Sequence, residues 1–123
     1  MSFKEKRKSE RFRFKHLLQY EKLLEDGSFD IPCTVYTSDI SVTGISFCLT
    51  ESMKINTRAR VTFELEKNKV SFIGRTVRME VMSGLQTGFI AGVNIEEIDD
   101  EDKKWFMEFI KKINIDNVLK NID

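Results

Sequence analysis

Two short clusters carry the side chains best suited to gripping a ligand. Arg7 and Arg11 stand four apart in Arg7-Lys8-Ser9-Glu10-Arg11, and Asp39, Ser41 and Gly44 follow in Asp39-Ile40-Ser41-Val42-Thr43-Gly44. A guanidinium is a planar fork of donors that holds a phosphate and also stacks on a ring face. A carboxylate accepts from N–H groups, a hydroxyl donates or accepts, and glycine admits a close backbone approach or a positive φ. In an extended segment Asp39 and Ser41 project to one face. Such a set binds rather than makes or breaks bonds. The single histidine, His16, has no serine or cysteine partner at a recognised spacing, so histidine-dependent nucleophilic catalysis has nothing to work with. Neither a Walker loop nor a dinucleotide glycine fingerprint occurs. Cys33 and Cys48 match no zinc spacing and read as reduced core thiols. The chain is therefore expected to be no enzyme and to hold no metal.

Charge places one cluster on a distinctive segment. Net charge is zero over 123 residues, yet residues 3–15 hold seven basic side chains against two acidic ones. Such an arm suits an anionic partner and is too polar to fold by itself, so residues 1–11 read as flexible without one. The opposite extreme is Glu96 to Asp102, with six acids in seven residues. It attracts a divalent cation only in principle, because its spacing is not that of a calcium loop; capping of a following helix explains it more simply.

The intervening pattern supplies the scaffold. Phe12, Phe14, His16, Leu18 and Tyr20 alternate with Arg13, Lys15, Leu17 and Gln19, the period of a half-buried strand. Glu25-Asp26-Gly27-Ser28 turns the chain, and a second strand is expected over 29–40. Further strands are expected at 45–49, 59–66, 70–81 and 89–95. Trp105, Phe106, Phe109, Ile110 and Ile113 then recur at helical spacing behind Asp99 and Asp100. The expected architecture is mainly β: a six-stranded antiparallel barrel over 12–96, a helix over 99–114 and the basic arm over 1–11, all in one domain. Closing the sheet removes its exposed edges. Whether 115–123 extends the helix is left open by the pattern. Apolar runs are too short to span a bilayer and the basic N-terminus lacks a signal-peptide core, so a cytoplasmic protein without membrane insertion is expected.

Together, the RxxxR and DxSxxG motifs, in this order and separation, resemble the PilZ domain family. Gly74-Arg75-Thr76-Val77-Arg78 and Ala91-Gly92-Val93-Asn94-Ile95 look like that family's later strands, with Ile95 where an aromatic is more usual. The resemblance implies a six-stranded barrel with a C-terminal helix, and cyclic di-GMP as ligand, with no cofactor. It assigns the ligand to Arg7, Arg11, Asp39, Ser41 and Gly44. Lys6, Lys8 and Arg13 are accessory candidates, Arg13 as a residue pointing outward from the first strand. It implies that Arg7 and Arg11 close over a guanine; Asp39 is suited to accept from guanine N1 and N2, and Ser41 to bond a phosphate or ring edge. Three or four charge-assisted hydrogen bonds, less the cost of ordering the arm, reach about −8 kcal/mol, or micromolar binding.

The expected function is a cyclic di-GMP receptor that changes conformation on binding and signals to a protein partner. Two rivals share the sequence features. One is a protein-interaction module that ignores the nucleotide. The other is a single-stranded nucleic-acid binder using the basic arm with Phe3, Phe12 and Phe14; the neutral-to-acidic remainder of the chain argues against it. Each motif taken alone also has a plain reading, Arg7 and Arg11 as a solvated tail and 39–44 as a hairpin turn bonding its own backbone.

Overall fold

The computed structural model describes residues 11–82, 84 and 88–120. Strands are β1 (Phe12–Arg13), β2 (Leu17–Lys22), β3 (Cys33–Ser41), β4 (Gly44–Leu49), β5 (Arg58–Leu65), β6 (Asn68–Val81) and β7 (Phe89–Ile98), followed by helix α1 (Asp100–Lys120). All pairings are antiparallel, in the order β1-β3-β2-β5-β6-β7-β4, and a β3–β4 pairing closes the sheet on itself.

Seven strands make a barrel of six staves because β1 and β2 share one side of β3. The pairs Phe12↔Ile40 and Leu17↔Tyr36 differ in register by one residue. Thr37 bridges the offset: its hydroxyl donates to the Phe14 carbonyl, its Oγ1 accepts from His16 N at 2.8 Å, and its own N–H donates to His16 O at 2.8 Å. The alternation seen in 12–20 thus survives in two pieces. The second strand begins at Cys33 rather than Phe29. Leu23 and Phe29 make only an isolated bridge, and Pro32, lacking an N–H, cannot join the ladder.

Inward positions of each strand fill the barrel. Leu18, Ile40, Phe47, Val61, Val70, Phe72, Ala91 and Val93 are each at most 2% exposed. Tyr20 stacks on Phe47 with ring centroids 5.2 Å apart. Burial, with help from a hydrogen bond to Cys33, raises the Tyr20 hydroxyl to about 12. Cys33 is exposed, against the expectation of a core thiol, because it opens β3 at the barrel's edge beside Tyr20; Cys48 is half-buried and both are free.

Helix α1 covers the barrel near Phe63 and Phe72. Phe106 is fully buried and makes edge contacts with both, at 6.1 and 6.3 Å. Ile110 is buried beside it, and Trp105, Phe109 and Ile113 pack partly against the core. Asp99 precedes the helix, with Asp100, Glu101 and Asp102 in its first turn, where carboxylates suit the exposed amides and the dipole. The helix continues past Asn114 to Lys120. Phe14 lays its ring against Phe109 at 5.0 Å, tying the start of the barrel to the helix.

Candidate ligand site at the β3–β4 hairpin

Asp39, Ser41 and Gly44 lie where β3 turns into β4, with Ser41↔Gly44 the last rung of that hairpin. Ile40 between them is fully buried, so Asp39 and Ser41 share the outer face, as alternation predicts. Arg13 of β1 pairs directly with Asp39, which brings the described end of the basic segment alongside the hairpin. Arg11, just before β1, is exposed, as is Arg13. Lys6, Arg7 and Lys8 lie outside the described residues.

The hairpin fixes its own polar groups. Ser46 Oγ donates to Asp39 Oδ1 at 2.8 Å and accepts from Asp39 N at 3.2 Å. Ser46 is 1% exposed, so this two-way bond holds the carboxylate on a rigid support. Ser46 was not among the sequence candidates. It lies two residues beyond the DxSxxG pattern, and its only signal was alternation in β4, which places it outward between Ile45 and Phe47. Ser41 Oγ accepts from Thr43 N at 3.3 Å and lies 3.1 Å from Thr43 Oγ1, so its hydroxyl is partly engaged in shaping the turn.

Of the two properties glycine offers, a positive φ and room for a close backbone approach, Gly44 shows the second, toward β7. It is not in the positive-φ region, which among glycines holds Gly27, Gly84 and Gly88. A Cβ at Gly44 would fall on the Val93 carbonyl oxygen and within 3.1 Å of Asn94 Cα. Its lack of a side chain lets β4 approach β7 in the pair Gly44↔Asn94, and the Thr43 carbonyl accepts from Ile95 N at 2.8 Å just beyond. The motif turn is thereby fastened to the strand that leads into α1.

His16 is structural: its Nε2 donates to the Glu64 carbonyl at 2.6 Å and its ring meets Phe14. The acidic stretch is also occupied. Glu96 bonds Arg75 Nε at 2.6 Å and Arg58 Nε at 2.9 Å, while Glu97 pairs with Arg58. The Arg75 bond, aided by Arg58, holds the Glu96 carboxyl below its ordinary value. Asp102 Oδ2 accepts from Ser71 N at 3.4 Å. Among the described residues no group of His, Cys, Asp and Glu is arranged to hold a metal ion, and no helix is long and apolar enough to cross a membrane.

A closed six-stave antiparallel barrel, capped by a C-terminal helix and presenting a basic N-terminal strand beside a DxSxxG hairpin, defines the class of this domain. The PilZ domain family model matches residues 5–112, and the chain belongs to that family. No curated protein matches. Among solved structures, the chain is similar to the PilZ domain of YcgR from Escherichia coli with c-di-GMP, at TM-score 0.68 and 12% identity, covering 93% of this chain and 95% of that one. It is also similar to the Bacillus subtilis inhibitor of motility MotI/DgrA, at TM-score 0.65 and 13% identity, covering 87% of this chain and 51% of that one. A third likeness is to the MrkH–c-di-GMP complex of K. pneumonia, at TM-score 0.64 and 15% identity, covering 93% of this chain and 53% of that one. The chain thus spans about half the length of the latter two.

Proposed function

We propose that this domain is a cyclic di-GMP receptor without chemistry of its own. The observation that carries the reading is the pairing of Arg13 with Asp39, which sets the basic segment beside a carboxylate already immobilised by Ser46. In this reading Asp39 accepts from guanine N–H groups, Ser41 bonds a phosphate or ring edge, and Arg7 and Arg11 close over the ring. Lys6, Lys8 and Arg13 add positive potential for the two phosphodiester charges. Gly44 serves by holding the turn against β7.

The same arrangement supports a switch. The arm and hairpin engage one ligand, and ligand binding orders the arm across the barrel wall, changing the surface offered to a protein partner. The likeness to the YcgR PilZ domain with c-di-GMP and to the MrkH–c-di-GMP complex favours this reading over a nucleotide-independent module. Calorimetric titration of cyclic di-GMP into the full chain tests the binding claim: micromolar affinity is expected, and no heat with no thermal shift at millimolar ligand would reject it. Hydrogen exchange tests the switch separately. Amides of residues 3–14 are expected to gain protection with ligand, and equal protection with and without it would reject the switch while leaving binding intact.

A further inference from the structure

Three bulges interrupt the barrel, and two of them act on the same strip of its outer wall. β3 carries an extra residue between Thr37 and Asp39 against β4, and β6 carries one between Thr76 and Arg78 against β7. Thr37 and Thr76 point inward and are at most 3% exposed. Regular pairing would then set Ser38 opposite Ser46 and Val77 opposite Gly92. The bulges place Asp39 and Arg78 there instead, a re-aiming of side chains for which bulges are suited.

Ser46 and Gly92 are themselves a rung of the β4–β7 ladder. With Arg13 opposite Asp39, five strands contribute one lateral row: Arg13, Asp39, Ser46, Gly92, Arg78. Its middle carries little side chain and forms a floor that the flanking groups cover: Ser46 and Gly92 are both buried, one bonded to Asp39 and the other under Arg78. Three strand spacings separate the backbones of Asp39 and Arg78, about 14 Å, a span that a two-base ligand can bridge.

Arg78 is held over this floor. A Cβ built on Gly92 would meet Arg78 Cβ at 3.2 Å, Cζ at 3.1 Å and Nη2 at 3.2 Å. Any larger residue at 92 would push the guanidinium away. Its Nε lies 2.9 Å from a Glu80 carboxylate oxygen, yet that Nε is buried and lacks a hydrogen bond of sound geometry. The side chain keeps 27% of its surface exposed. A charged fork folded over a bare backbone, paired with Glu80 through Nε alone and still partly exposed, suits a second anionic group.

We infer that Arg78 is a further ligand-contact residue, binding a phosphodiester oxygen of the cyclic dinucleotide whose guanine is held at Asp39. This rests on the receptor reading above and extends its site across β4 and β7. The test is calorimetric titration of cyclic di-GMP into the full-length wild type, Arg78→Ala, Arg78→Gln and Asp39→Ala, with a thermal melt of each. Loss of a charge-assisted fork is expected to weaken binding about tenfold or more in both Arg78 variants. Folded Arg78 variants that bind within about twofold of wild type, while Asp39→Ala loses affinity, would overturn the inference and leave the receptor reading standing. A wild type that does not bind would overturn both. Should Arg78→Ala fail to fold, Arg78→Gln, which keeps the stem over Gly92, decides by the same thresholds.

Discussion

Gly44→Ala separates two reasons for a glycine in a ligand motif. Backbone φ gives no reason to prefer glycine there, since the residue lies outside the positive-φ region. The obstacle is the added methyl, which would land on the Val93 carbonyl oxygen and sit 3.1 Å from both Val93 C and Asn94 Cα. All three atoms are backbone, so no side chain can swing aside. β4 and β7 must part by roughly an ångström to restore ordinary contact. Overpacking of that kind costs about 1–3 kcal/mol. Weakening the Gly44↔Asn94 rung and the Thr43–Ile95 bond adds about 1 kcal/mol. The total is about 2–4 kcal/mol, which for a domain of this size lowers Tm by about 8–16 °C. Thermal unfolding followed by circular dichroism measures this directly. A variant that melts within about 2 °C of wild type yet no longer binds cyclic di-GMP would refute the packing account and return Gly44 to the role of a backbone approached by ligand.

Three further outcomes follow from the geometry. Ser46→Ala removes the hydroxyl that fixes Asp39, so cyclic di-GMP affinity should fall about three- to tenfold with only about 1 kcal/mol lost from stability; unchanged affinity by calorimetry would show that Asp39 needs no support. Phe106→Ala empties the contact with Phe63 and Phe72 and should cost about 3–5 kcal/mol in chemical denaturation, whereas a cost below about 1 kcal/mol would mean that α1 does not close the core. Tyr20 is raised to about 12 from 10.0, so the unfolded chain ionises first: its contribution is intact below pH 10 and is lost as pH rises from 10 through 12. Denaturation midpoints at pH 9 and 11 should therefore fall more steeply in wild type than in Tyr20→Phe, and equal slopes would contradict the burial argument.

Much of this architecture was readable because period two is imposed by burial on one face. Leu18, Ile40, Ile45, Phe47, Val61, Phe63, Phe72 and Val93 all occupy inward positions of strands expected from alternation. The helix face was legible for the same reason, with Phe106 and Ile110 buried. Bulges were not legible. An extra residue such as Ser38 or Val77 leaves each flanking strand with a normal local pattern, and only its partner's register reveals the slip. The offset that divides β1 from β2 was hidden likewise. Motif spacing could identify Asp39 and Ser41 as sharing a face, but not Ser46 or Arg78, which join them only through lateral pairing of strands distant in sequence. The positive φ that glycine would permit at Gly44 is absent, and the crowding there comes from Val93, 49 residues away, which no local pattern shows. Cys33 follows Pro32 at a strand start, where apolar context alone overstated burial.

The central claim is that the basic arm and the β3–β4 hairpin act together on one ligand. A double-mutant cycle in cyclic di-GMP affinity, comparing wild type, Arg11→Ala, Asp39→Ala and the pair in the full chain, measures that directly. The account predicts that each single substitution weakens binding at least about tenfold, and that the pair loses clearly less than the two losses combined. Strictly additive losses would separate the arm from the hairpin, and wild-type affinity in either single variant would contradict the site.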